Sequence, residues 1–374
     1  MSSLKLLHCA DLHLGSKISF LGHNADVLQS EQLLCFERII GLCNTREIDL
    51  LIIAGDLFDS PDVSDALLLR VRELLLSLKN TVVAICAGNH DPLSYGASAI
   101  ERLGCGERVV ILNKQNPVVQ LDGKNARIYG SSFYGAYLNS TDPFSDFNID
   151  PSYLNIAVIH GDLNAEQGSN YNPVTTAQIE RSGFDYVALG HIHARSEILK
   201  AGNTFFAYPG CVQGTGFDEL GEKGVYIGTI SKDRCDFEFQ RIANRLFINE
   251  SIDISECLTN GQIVEKIKSA LSKFENAANN LYKITLTGGT DQSLSVDPSY
   301  IAASLASEYF FIKVIDTSAP AIDLELLAKQ NTLKGMFVKR MLDMLNGAED
   351  PELVKQALQI GLKAFDGEVK AIDN

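Results

Sequence analysis

The stretch IDLLIIAGDLFD, Ile48 to Asp59, decides the fold. Its first seven residues are aliphatic at every position but Asp49, and they run straight into Gly55, Asp56 and Asp59. A short run that is apolar on successive positions reads as a strand covered on both faces. Acids set where such a strand ends are placed where open α/β folds build their sites, because several loops converge there. The arrangement recurs. LKLLHCA (4–10) leads into Asp11-Leu12-His13, TVVAICA (81–87) into Gly88-Asn89-His90-Asp91, LNIAVIH (154–160) into His160-Gly161-Asp162, and DYVAL (185–189) into Gly190-His191-Ile192-His193. Leu67, Val71, Leu74 and Leu78 repeat at helical spacing between two of these strands, and Asn24 to Asn44 reads as another helix. The core is therefore α/β.

A length of 374 residues allows two or three units. We place a catalytic domain at 1–244, a smaller α/β domain of the β-α-β-α-β kind at 245–330, and a helical tail at 331–374. In the tail, Gly347, Asp350 and Pro351 supply the stop of one helix and the start of the next, predicting a hairpin. Its Met336, Met341 and Met344 read as helix core. No apolar stretch is long enough to cross a bilayer, and the first residues lack the zones of a secretory signal, so a cytoplasmic protein without membrane contact is expected. The eight Cys form no C-x-x-C pair and read as reduced core thiols. His8 reads as a core group and His23 as a solvent-exposed one.

Five of the seven His lie in the strand-end clusters, beside Asp and Asn and apart from any thiolate pair. Oxygen and nitrogen donors of this kind suit manganese, iron or zinc. A pair of ions about 3.5–4 Å apart needs one bridging carboxylate, for which Asp56 is the candidate. Gly55 and Gly88, each next to a donor, would let the chain turn sharply.

The five motifs in this order resemble the calcineurin-like metallophosphoesterase superfamily. DLHLGS, GDLFD, GNHDP and ALGHIH resemble its SbcD- and YhaO-type bacterial DNA repair exonucleases in particular. YPGCVQGTGFDELGEKGVYIGTI (208–230) is similar to the YhaO type, and LYKITLTG and NTLKGMFVKRML resemble the capping domain and tail of the same nucleases. The resemblance implies a β-sandwich flanked by helices, a smaller α/β capping domain and a C-terminal helical hairpin. Carried over by position, it implies that Asp11, His13 and His193 bind one divalent ion, that Asn89, His160 and His191 bind a second, and that Asp56 bridges them. It also implies that His90 contacts the scissile phosphate and assists the leaving oxygen, that Asp91 holds the His90 ring, and that Asp59 supports the site from behind. The activity implied is exonuclease or endonuclease cleavage of DNA by a metal-activated hydroxide, with Mn2+ first and Fe2+ or Zn2+ as alternatives. The implied partners are DNA, an SMC-like coiled-coil ATPase bound by the tail, and a second copy of the chain.

Charge speaks for a rival. The net charge is −15, and residues 245–374 carry 13 Lys and Arg against 18 Asp and Glu, so neither part offers a basic stripe. A phosphodiesterase acting on a small or nucleotide substrate is the alternative. DNA ranks above it because two divalent ions would place positive charge at the crevice itself. A decayed, non-catalytic binding protein fits poorly, since all seven candidate ligand positions are filled.

Overall fold

The aliphatic runs become the central strands of two facing sheets. The computed structural model describes residues 3–94, 97–165, 169–321, 323–348 and 350–365; the side chain of His23 and residues 349 and 366–374 of the tail lie outside the described set. In the first sheet β1 (Leu4–Cys9), β2 (Leu50–Ala54), β3 (Val82–Cys86) and β4 (Val109–Ile111) run parallel. Leu7 stands beside Leu51 and Leu51 beside Val83. The second sheet holds β5 (Val118–Leu121), β6 (Ala126–Ser131), β7 (Leu154–His160), β8 (Tyr186–Gly190), β9 (Leu199–Ala201) and β10 (Thr204–Ala207), in the order β5-β6-β7-β8-β10-β9. The chain then returns to the first sheet, where β11 (Gly224–Ile230) pairs antiparallel with β1 and β12 (Cys235–Arg241) with β11.

Strand alternation divides the apolar residues between two cores. Leu4 and Leu6 of β1, with Leu50 and Ile52 of β2, pack between the sheets on Ile128, Ile156, Val158 and Tyr186. Their neighbours Leu7, Cys9, Leu51 and Ile53 face the other way, onto Phe36, Ile39 and Ile40 of helix α1 (Ala25–Thr45) and Val71, Leu74 and Leu75 of helix α2 (Asp65–Leu76). Ala157, Ile159, Val187 and Leu189 line the outer side of the second sheet under Phe144, Val174 and Phe184. Reading by aliphatic runs passes over β6, whose ARIYGS mixes Arg and Gly, although it pairs with β7 along its whole length. Gly130 is there because a Cβ would overlap the side chains of Cys86 and Leu112 in the facing sheet.

The contacts of the chain define two units, 1–249 with 274–283 and 306–313, and 250–273 with 284–305 and 314–374. Strands Phe247–Asp253, Leu281–Thr287 and Phe311–Asp316 form a three-stranded sheet in that order, with helices Asn260–Leu271 and Pro298–Leu305 between them in sequence. Within the second unit the hairpin of Leu333–Leu345 and Pro351–Phe365 closes on Val338, Leu358 and Leu362. A further helix, Leu324–Ala328, packs Leu324 and Leu327 into the same cluster. Of the three tail methionines read as core, Met341 packs there, whereas Met336 and Met344 are exposed.

His8 lies wholly between the sheets. Its Nε2 donates to the Leu189 carbonyl at 3.1 Å, and its Nδ1 accepts from the Tyr186 hydroxyl at 2.9 Å. Burial lowers its pKa to about 3, against which the Leu189 carbonyl acts only weakly. A neutral buried imidazole must take up a proton when the chain unfolds at any pH between the two values, so stability falls as pH drops below about 6.5. Urea unfolding at pH 7 and pH 5 should show this contribution as a difference between variants: on going to pH 5, His8→Gln should fare better than the wild type by about 2 kcal/mol, one proton over roughly 1.5 pH units.

Candidate metal centre

The strand ends of both sheets meet at one place. Beyond β1 and β2 the two chains continue side by side: Asp11 N–H donates to Gly55 O, His13 N–H to Asp56 O and Leu14 N–H to Leu57 O, at 3.0–3.1 Å. The paired course carries Asp11, His13 and Asp56 toward β7 and β8. Four candidate donors hold left-handed backbone angles, with φ of 51° at Asp11, 45° at His13, 49° at Asp56 and 101° at His191. Such angles cost roughly 1–3 kcal/mol each at a non-glycine residue and gather where function requires them. Gly55 turns as expected, at φ 94°. Gly88 does not take a positive φ; its smallness is needed because a Cβ would overlap the Asp56 carboxylate.

All seven candidate ligands come together around Asp56. On one side, donor atoms of Asp11, His13 and His193 lie within 4.8 Å of one another, and His13 Nε2 is 3.7 Å from Asp56 Oδ2. On the other, His160 Nε2 is 3.4 Å from Asp56 Oδ2 and 3.0 Å from Asn89 Oδ1. The His191 ring lies 5.2 Å from that of His160, and its backbone N–H donates to the Asp11 carboxylate.

The ring orientations are set from behind. His13 Nδ1 donates to Asp59 Oδ1 at 3.1 Å, His193 Nδ1 donates to Glu219 Oε1, and His160 Nδ1 donates to the Ala54 carbonyl at 2.9 Å. Each ring therefore turns its Nε2 inward. His13 Nε2 and His193 Nε2 consequently face each other at 3.1 Å, two lone pairs with no hydrogen between them in these tautomers. That spacing fits a shared cation, and nitrogen and oxygen donors suit a divalent ion.

The electrostatics agree. Burial opposes charge on His160, but Asp56 and Asp11 outweigh it and lift the imidazole to about 9. His13 and His193 are raised in the same way by their carboxylate partners against burial. Asp56 is driven well below the usual carboxylate range by His160 and His13 in spite of its burial. A field that raises the proton affinity of three imidazoles equally favours divalent cations at the same nitrogens. The Cys211 thiol near His193 and Glu219 is pushed far up by burial.

One supporting residue sits differently from the reading of the sequence, and another was missed by it. Asp91 does not hold the His90 ring: its carboxylate accepts the backbone N–H of Phe58 at 2.9 Å and of Gly88 at 2.8 Å, tying the loop after β2 to the loop after β3. Burial, with Asp56 nearby, raises its carboxyl to about 7. The His90 ring instead lies by Asp59, with Nδ1 donating to the Asp59 carbonyl at 3.3 Å. Glu219, which orients His193, was missed. It stands in the loop TGFDELG, inside the 208–230 stretch similar to the YhaO type but away from the polar strand ends, and only the fold brings it back to the centre. Burial opposes its ionisation, yet His193 and the Thr215 N–H hold it down at about 2.

Loss of an orienting carboxylate should weaken metal binding by about 10- to 100-fold. Competition titration with a chromogenic chelator should show that drop for Glu219→Gln, with the wild-type melting curve retained in the absence of metal. Unchanged affinity would mean that His193 is oriented by the backbone alone.

Comparison with known proteins places the chain in a family. The chain is 27% identical over 284 residues to the uncharacterized metallophosphoesterase YhaO of Bacillus subtilis, covering 73% of this chain and 69% of that one. It is 26% identical over 277 residues to a component of the nuclease SbcCD of Staphylococcus epidermidis, covering 66% and 69%. It is 28% identical over 241 residues to the DNA double-strand break repair protein Mre11 of Methanopyrus kandleri, covering 60% and 52%. Residues 4–195, from the first strand to just past His193, match the model of the calcineurin-like phosphoesterases. The chain belongs to that family and is a metal-dependent phosphoester hydrolase.

Proposed function

We propose that the protein is a nuclease that hydrolyses DNA phosphodiesters in DNA repair, with two divalent ions, Mn2+ foremost, held on either side of Asp56. The observation that carries this reading is the approach of His13 Nε2 and His193 Nε2, each ring fixed by a carboxylate on its far nitrogen. Asp11, His13 and His193 would hold one ion, and Asn89, His160 and His191 the other. Ions bound there supply Lewis acidity, activating water and neutralising charge on the phosphate. The chain's own residues do the rest. Asp59 and Glu219 keep two imidazoles facing inward, and Asp91 locks the loops that carry Asp56 and Asn89.

His90 is the exposed member of the cluster. Its backbone N–H donates to Asp56 Oδ1 at 2.9 Å, which fixes the ring on the solvent side, where a phosphate would arrive. The ring stands edge-on to His13 at 4.7 Å. From there it would donate a proton to the departing oxygen. His90→Asn should lower turnover of linear DNA about 100-fold or more. Metal content by elemental analysis should stay near that of the wild type; parallel loss of metal and activity would place His90 among the ligands instead.

The tail would bind an SMC-like coiled-coil ATPase. With Phe337 and Met341 used inside the hairpin, the available surface is Leu333, Met336, Met344, Leu353 and Ile360, an apolar helical face of the kind that takes an amphipathic helix. The relatives support a DNA substrate and a multi-protein assembly, one being a component of the nuclease SbcCD and another the double-strand break repair protein Mre11. Replacing Leu333 and Met336 together by Asp should abolish co-purification with a coiled-coil ATPase expressed alongside, while a chromogenic phosphodiester is still hydrolysed. Retained co-purification would refute the docking role. The competing reading, a small nucleotide substrate, draws on the acidic charge of the chain; cleavage of mononucleotide diesters without cleavage of DNA would favour it.

A further inference from the structure

A row of aromatic rings leads away from the centre on the His191 side. The Tyr171 ring lies against that of His191, with centroids 4.8 Å apart and planes 29° from parallel. Tyr137 lies beyond Tyr171 at 5.8 Å and 50°. The outermost ring is 62% exposed.

The row is anchored to the metal-binding strand. Leu138 and Tyr171 form a parallel bridge, Leu138 N–H donates to Asn170 O at 2.9 Å, and Asn172 N–H donates to Leu138 O at 2.7 Å. Asn172 is buried at φ 47°, and its side-chain amide donates to the carbonyl of His160 at 3.0 Å. Both tyrosines thus belong to segments fixed, through one residue, to a candidate ligand. Steadying of the His191 ring would be met by Tyr171 alone. It leaves unexplained why a second aromatic extends the row into solvent, where a polar residue would hydrate better.

We propose that Tyr137, backed by Tyr171, is a stacking platform for a nucleobase of the substrate strand next to the scissile phosphate. This deepens the nuclease reading and rests on it. Every base offers a π face, so the platform would hold the strand without regard to sequence. It would also let an acidic chain with no basic stripe grip nucleic acid, because stacking needs no positive charge.

The test uses the full chain in Mn2+ with two single-stranded oligomers of equal length. One is a deoxyoligonucleotide with 2-aminopurine at one position; the other is an abasic deoxyribose-phosphate oligomer of the same charge. The wild type should prefer the base-bearing oligomer in KM and quench its 2-aminopurine fluorescence. Tyr137→Ala should raise KM for that oligomer by roughly 5- to 100-fold with little change in kcat, lose the quench, and no longer distinguish the two oligomers. Tyr137→Phe should retain the preference and the quench, since the ring and not the hydroxyl stacks. The inference is overturned if Tyr137→Ala keeps the wild-type preference, if it loses equally on both oligomers, or if Tyr137→Phe is as impaired as Tyr137→Ala. A wild type that hydrolyses a chromogenic diester but neither binds nor cleaves the oligomers refutes the nuclease reading and this inference together. One that cleaves DNA with the preference unchanged in Tyr137→Ala refutes the inference alone.

Discussion

Only a hydrogen atom fits between the α-carbon of Gly190 and the carbonyl of Ala54, for a Cβ at that position would overlap the oxygen. This close approach joins the end of β8 to the end of β2, and the centre depends on it. It lets His160 on β7 reach the same Ala54 carbonyl, and it lets His191 donate its N–H to Asp11 across the two sheets. Neither sheet carries a complete donor set. Asp11, His13, Asp56 and Asn89 follow strands of the first, whereas His160 ends β7 of the second and His191 and His193 follow its β8. The apolar faces between the sheets, from Leu4 and Ile52 to Ile156 and Val158, are therefore what fixes distances at the centre. An Ile or Leu exchanged deep in that layer would act on catalysis through spacing as well as on stability.

Most of the fold was legible because its signal is local. A run such as LLIIA has few solutions other than a strand covered on both sides, and its end is marked by the change to Gly and Asp. Strand β6 escaped because its pattern is not aliphatic; it is a strand because β7 and a tight sheet-to-sheet contact at Gly130 make it one. The division of the tail methionines escaped for a related reason. Met336, Met341 and Met344 are equivalent by composition, and only the crossing of the two helices decides that Met341 is covered.

The candidate site was legible to the depth at which residue type and position relative to a strand end carry information. The five clusters stood out because Asp, Asn and His gather at the ends of successive buried strands, and the family resemblance then picked the seven donors out of them. Their supports did not. Glu219 lies 26 residues from the ring it orients, and Asp91, adjacent to His90 in sequence, turns inward to two backbone N–H groups. Adjacency suggested a side-chain pair, but a buried carboxylate seeks the strongest donors in reach. Two converging amides at the ends of β2 and β3 satisfied it before a solvent-exposed ring could.

The same residues that would bind metal burden the fold without it. Asp11, Asp56 and His160 are buried, and four of the seven donors hold left-handed backbone angles. Buried carboxylates near one another repel, and the imidazoles relieve this only by holding protons that burial disfavours. Any cation bound to the folded state and not to the unfolded one stabilises the fold by an amount set by its affinity and concentration. Cations bound at the centre would offset that repulsion, whereas the apolar layers around it need none. Four left-handed donors and the buried acids Asp11, Asp56 and Asp91 gather at the strand ends around the centre, while the strands behind them are filled by buried aliphatic side chains. That distribution is the expected one for a scaffold whose stability is supplied by its aliphatic strands and whose chemistry is confined to their ends.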